Sequence, residues 1–160
     1  MTPYDVVFFT LFRSDQAYSS ISLSMSKVLA RDHRVFYIQH PYTWWDVFKG
    51  WFKKDPAIRR HLPDLLLGRT RYASFAGMPA RFVVVHPPVV LPINWLPAGI
   101  VFRFFQRINE QRVLRAVSKV LKEFEVKSFI YINCYNPFYA GVLPRKMGAS
   151  MHIYHCIDDI

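Results

Sequence analysis

The stretch HIYHCIDD, residues 152–159, gathers side-chain types that bind zinc or move protons: two imidazoles, a thiol and two adjacent carboxylates. A structural zinc site needs four such ligands converging on one point. Neighbouring residues on a strand point to opposite faces, so His155 and Cys156 do not converge. No second Cys/His cluster completes a site. The stretch reads as a strand with polar ends, and no metal is expected. Asp158 and Asp159 stay as candidate catalytic groups, able to accept hydrogen bonds from hydroxyls or to take a proton as general base.

A second concentration of chemistry is FRSDQAYSS, residues 12–20. It falls between an apolar strand and a helix, where free backbone N–H groups and the helix dipole favour anions. Arg13 adds a permanent charge with a forked donor set. The loop has no GxGxxG and no Walker lysine, which argues against a nicotinamide or P-loop nucleotide site. Two readings stand here: a ligand loop built on Arg13, Asp15, Ser19 and Ser20, or an Asp/Ser-rich helix cap with a solvated Arg13.

A third is WWDVFKGWFKK, residues 44–54. Wound as a helix, it puts Trp44, Trp45, Phe48, Trp51 and Phe52 on one face, with Asp46, Lys49 and Lys53 on the other. Aromatics opposite lysines suit a helix lying in a lipid headgroup layer, which would make those five residues membrane contacts. They also suit a core-facing helix with a solvated back, and Gly50 weakens the helix itself.

The elements that must carry these groups follow from hydrophobic periodicity. Strands are expected near residues 5–10, 34–39, 81–86, 128–133 and 151–156, each a short continuous apolar run of the kind buried on both faces. Between the first two, Ile21, Met25, Val28 and Leu29 recur at helical spacing. RTRYASF is a candidate for a short extra strand, and VVLPINWLP is too rich in proline for a central one. A long helix is expected from about Gly99 to Glu125, with Val101, Phe104, Phe105, Ile108, Val117, Val120, Leu121 and Phe124 on its apolar stripe. A short helix ending near Pro144 precedes the last strand. The alternation predicts an α/β fold: a doubly wound, mainly parallel Rossmann-like sheet with helices on both faces. Ligands bind such sheets at the carboxyl ends of the strands. The loops there include LFRSDQAYSS, HPYTW, HPP, CYNPF with Asn136, and DDI.

The composition sets the partners. The chain has 160 residues, enough for one domain with a real core, and 52% of them are hydrophobic. The net charge of +10 attracts anions: nucleic acid, acidic headgroups or phosphorylated small molecules. The basic residues are scattered and form no recognised nucleic-acid module, so nucleic acid is not the expected partner. The N-terminus lacks a basic n-region, and its apolar run is broken by Arg13 and Asp15. No apolar run nears the ~20 residues that span a bilayer. Cys134 and Cys156 are expected as buried free thiols. A cytoplasmic location follows, with peripheral association at the inner face of the membrane.

In this order the pieces resemble bacterial GT-B-fold glycosyltransferases of the teichuronic-acid and capsule type. The likeness runs through YDVVFFTLFRSDQAYSSISLSMSKVLARDHRVFYIQHP, the strand ending HPPVVLP, the long helix, IYINCYNPF and the closing IYHCIDD. The first loop and the closing YxCxDD carry it most specifically. The resemblance implies two Rossmann-like domains, of which residues 1–160 are the acceptor-side one, with the donor-binding C-terminal domain absent. It implies a transferase moving a sugar from a nucleotide-sugar, held by the missing domain, to a cell-envelope polysaccharide or lipid-linked acceptor. No cofactor is expected. Substrate contacts would come from Arg13, Asp15, Ser19, Ser20 and Asn136, with Asp158 and Asp159 as catalytic candidates. A fragment or split subunit of this kind is expected to be inactive alone. The competing class is a non-enzymatic basic module that binds a membrane surface or nucleic acid.

Overall fold

A computed structural model describes residues 4–11, 13, 21–67, 70–74 and 77–156. The elements in chain order are β1 (Asp5–Thr10), α1 (Ile21–Leu29), β2 (Arg34–Ile38), α2 (Trp44–Phe52), α3 (Pro56–Leu66), β3 (Arg71–Ser74), β4 (Phe82–His86), α4 (Ile100–Glu123), β5 (Phe129–Cys134), α5 (Val142–Met147) and β6 (Met151–His155). The strands form one six-stranded sheet in the order β3-β4-β2-β1-β5-β6. β4, β2, β1, β5 and β6 are parallel; β3 runs antiparallel on the edge beside β4. Leaving that edge strand aside, the parallel strands follow the 3-2-1-4-5 order of a Rossmann-like sheet. Their chain order reverses direction at β1, which is flanked by β2 and β5.

Pleating divides the strand residues between two cores. Val7, Phe9, Phe36 and Ile38 pack with Val113, Val117, Val120 and Leu121 of α4 and Leu143 of α5. Val6, Phe8, Val35 and Tyr37 face the other way and pack with Ala30, Leu23, Met25 and Leu29 around α1. Helices thus cover both faces. At the amino end of the sheet Arg34 Nε and Nη2 donate to the Asp5 carboxylate at 2.7 and 2.8 Å, clamping β2 to β1.

Three helices differ from the expectation. The buried face of α1 is Ser22, Ser26 and Ala30, all fully buried, whereas Ile21 and Val28 are exposed. Small side chains at i, i+4 and i+8 let α1 lie close on the sheet. Ser22 also gives the buried Tyr37 hydroxyl a partner at 3.0 Å and Thr10 one at 3.3 Å. In α4 the stripe holds from Val113 onward, but Ile100, Val101 and Phe104 are exposed. With 24 residues α4 is about 36 Å long, while a six-residue strand spans about 20 Å. Its first turns therefore project past the carboxyl edge of the sheet. α5 begins at Val142 and contains Pro144 in its first turn, where a missing N–H costs no hydrogen bond.

α3 was not expected at all. Pro56 opens it, and Pro63 lies inside it and disguises the pattern. α2 and α3 form a hairpin with its own small core of Tyr42, Val47, Ile58, Leu65 and Val89. Gly50 is the point of close approach: a Cβ there would lie 2.5 Å from Ile58 Cγ1. The glycine that weakens α2 as a helix is what lets α3 dock on it. No helix among the described residues is long and apolar enough to cross a membrane.

Candidate functional site

The carboxyl ends of β1 and β2 feed a polar cleft of about 440 Å³. Its lining includes Arg13 after β1, His40 after β2, Thr43, Trp45 and Asp46 at the start of α2, and Asn94 and Trp95 from the loop after β4. Each wall has a local cause. Thr43 caps α2: its hydroxyl accepts from Asp46 N–H at 3.1 Å, and the Asp46 carboxylate accepts from Thr43 N–H at 2.9 Å. This reciprocal capping box fixes the first turn of α2. The loop that carries Asn94 and Trp95 is held by Asn109, buried midway along α4. Asn109 Oδ1 accepts from Leu91 N–H at 2.8 Å and its Nδ2 donates to Leu91 C=O at 2.9 Å. An isolated parallel bridge between Thr43 and Val90 joins the two walls.

Arg13 enters the cleft as part of an ion pair. Its Nη2 donates to Asp46 Oδ2 at 3.3 Å and to Pro41 C=O at 3.4 Å, and its Nε to His40 C=O at 3.4 Å. The guanidinium lies 3.9 Å from the centre of the Tyr42 ring, within cation–π range. The helix-cap carboxylate, which sequence reasoning put on the solvated face of α2, is therefore Arg13's partner. Among the described residues that line the cleft, one is positively charged and one negatively, and the two are paired.

His40 is neutral. Burial, joined by the positive charge of Arg13 and opposed by Asp46, pushes its pKa down to about 4. The tautomer follows from its neighbours. Asn136 Oδ1 accepts from Phe138 N–H at 3.2 Å, which turns the Asn136 amide nitrogen toward His40 Nδ1 at 3.1 Å. Nδ1 is then an acceptor, so the ring proton sits on Nε2. Asn136 is itself held by Asn133, which accepts from its N–H at 2.9 Å and donates to its C=O at 3.0 Å. Between these two asparagines Tyr135 has φ 59°. That left-handed conformation costs a non-glycine residue about 1 kcal/mol, and the Asn133 clamp holds it.

The structure thus brings Arg13 into the cleft and gives Asn136 a different place from the one expected. Asn136 is fully buried and acts on the cleft by orienting His40. Asp15, Ser19, Ser20, Asp158 and Asp159 lie outside the described residues. Cys134 is buried, and burial raises its thiol pKa to about 11, which keeps it protonated. Cys156 is exposed, contrary to expectation, because β6 is an edge strand with nothing packed beyond it among the described residues.

α2 is a helix as its spacing predicts, and all five of its aromatic rings are exposed, from 38% for Trp44 to 69% for Phe52. Its buried face is Val47 and Gly50. The rings split between two sides. Trp45 lines the polar cleft, whereas Trp44, Phe48, Trp51 and Phe52 line an apolar groove of about 640 Å³, closed by Leu62 and Leu66 of α3.

Sequence reasoning missed His40, Asp46, Trp95 and Asn109. Two of them left a signal. Thr43-x-x-Asp46 is a capping-box spacing. Asn109 interrupts the series Phe105, Asn109, Val113, Val117, so it is a polar residue on the apolar stripe of α4.

Comparison with protein-family models, with curated proteins and with solved structures gave no match.

Proposed function

We propose that the chain is the acceptor-side domain of a glycosyltransferase, acting on a cell-envelope polysaccharide or lipid-linked acceptor at the surface of an anionic membrane. One observation carries this reading: a balanced Arg13–Asp46 pair between two exposed indoles, Trp45 and Trp95, at the carboxyl edge of a Rossmann-like sheet. Indole faces stack on the apolar faces of sugar rings. The neighbouring ion pair and the His40 Nε2–H supply donors and an acceptor for hydroxyl groups. Because Asp46 balances Arg13, the cleft suits a neutral polyol better than a free phosphate.

In this reading the cleft orients the acceptor, and a nucleotide-sugar arrives on a separate donor-binding domain. Holding the two in near-attack geometry supplies much of the acceleration. Asp158 or Asp159 takes the proton of the attacking hydroxyl as general base. The exposed rings of α2, with Lys49, Lys53 and Lys54 beside them, bring the cleft to the membrane.

The test is transfer from nucleotide-sugars by this chain joined to its donor-binding half. Trp95→Ala, Arg13→Ala and Asp158→Asn should each lower kcat/KM at least about tenfold, with thermal unfolding of Trp95→Ala unchanged. Wild-type turnover in all three overturns the reading.

The exposed face of α2 also supports a second reading, a non-enzymatic module that binds membranes. That reading expects flotation on anionic vesicles with no sugar bound in the cleft, and a Trp95→Ala variant that behaves as wild type.

A further inference from the structure

We infer that the groove between α2 and α3 holds the hydrocarbon chain of a glycolipid whose sugar head occupies the polar cleft. The inference rests on the glycosyltransferase reading for the head group and on the groove alone for the chain.

Three observations select this occupant. The groove is a trough of about 640 Å³ lined by Trp44, Val47, Phe48, Trp51, Phe52, Leu62 and Leu66. This falls within the roughly 300–1,000 Å³ of small-molecule sites. Every lining side chain is apolar, so the trough offers nothing to the polar part of a ligand.

The second observation is continuity. Successive helix residues are about 100° apart, so Trp44 and Trp45 face different compartments of the same helix wall. Trp45 and Phe48 stack at 5.7 Å with 11° between their planes. Trp45 belongs to the cleft and Phe48 to the groove, so this stack is the divide over which one molecule passes from polar to apolar surroundings. A ligand that fits both sides is an amphiphile, with a hydroxyl-rich head and a long chain.

The third is charge. Lys49 Nζ lies 5.1 Å above the Trp45 ring, at the divide. Lys53 and Lys54 follow, both exposed. Cations at the margin of an apolar trough complement a phosphate-bearing lipid or the anionic surface from which it is drawn. A protein partner needs no such paired compartments, and a flat bilayer face needs no trough.

The binding of alkyl maltosides below their micellar concentration, followed by tryptophan fluorescence, tests the chain. Affinity should climb with chain length from hexyl to decyl, about two- to fourfold per methylene, with saturation at one ligand per chain. Leu66→Asp, at an exposed position, should cut decyl maltoside affinity at least about tenfold and abolish the chain-length dependence. Affinity independent of chain length, or unchanged by Leu66→Asp, overturns the inference. So does flotation on vesicles without saturable binding of the monomer, which leaves surface docking in its place. A dimer dispersed by Leu66→Asp also overturns it, because a second copy then fills the groove. Chain-length dependence, with no sugar transfer once the chain is joined to a donor-binding half, upholds the groove and removes the enzymatic reading instead.

Discussion

The amide nitrogen of Asn136 meets Nδ1 of His40 at 3.1 Å, across 96 residues of chain. That bond ties the loop after β5 to the loop after β2 and leaves His40 a neutral donor. Its consequence is a pH dependence. The pKa of His40 is about 4 in the folded protein against an ordinary 6.5. Between these values the unfolded chain binds a proton that the folded one refuses, so stability rises with pH through this window. It is complete above about 6.5 and lost below about 4, and the difference is on the order of 3 kcal/mol. Ring NMR of His40 should show the depressed titration, shifted upward in Arg13→Gln and further downward in Asp46→Asn. A midpoint near 6.5 contradicts the assignment.

Asn109→Leu keeps the branched shape but leaves the Leu91 N–H and C=O without their partner. At about 1–3 kcal/mol for each unsatisfied group, the loss should total roughly 2–6 kcal/mol in urea denaturation. A cost under about 1 kcal/mol would show that the loop does not depend on this hook.

Gly50→Ala sets two effects against each other. Alanine favours a helix interior by about 1 kcal/mol. Its Cβ, however, would stand 2.5 Å from Ile58 Cγ1 and 2.9 Å from Ile58 Cβ. Overpacking wins, and the variant should lose about 1–3 kcal/mol. In an Ile58→Ala background the cost should shrink, because the Cγ1 contact is gone and only the 2.9 Å contact with the Cβ remains. A double-mutant cycle with no coupling would rule out the contact as the cause.

Asp5→Asn breaks the two-bond clamp between β1 and β2. The pair is partly exposed, with Arg34 at 36% and Asp5 at 16% of their side-chain surface. The cost should stay below about 1 kcal/mol. It should shrink at 1 M salt, where the screening length is about 3 Å. A loss above about 2 kcal/mol, twice the expected ceiling, would mean the pair also fixes strand register.

The parallel strands were legible because each is a continuous apolar run buried on both faces, and Val7 and Phe8 need only that pattern to be placed. α1 was read half rightly: Met25 and Leu29 pack on the core, but periodicity scores Ile21 and Val28 as core and Ser22 as surface. Close approach and a buried tyrosine hydroxyl reverse that preference. Val101 and Phe104 of α4's expected stripe were misplaced because the helix's length, not its pattern, decides that they lie past the sheet. In the cleft Arg13 was legible as a fixed charge beside a strand end. Its partner Asp46, the neutral His40 and the opposing Trp95 depend on contacts across 18 residues or more, from the Leu91–Asn109 hook to the Arg13–His40 bond. No local spacing encodes those.

The length of α4 makes it a lever. Its far half is gripped by the sheet around Val117, while its first turns reach beyond the carboxyl edge. At 1.5 Å per residue, a tilt of about 5° at Val117 carries Ile100 through about 2 Å and Asn109 through about 1 Å. Leu91 is hooked to Asn109, so the loop bearing Trp95 travels with the helix. The start of α2 is tied to the same loop, through the Thr43–Val90 bridge and through Val89 in the core it shares with Val47 and Ile58. Both walls of the cleft are thus tied to one another as well as to this helix, so a change in its angle is shared between them.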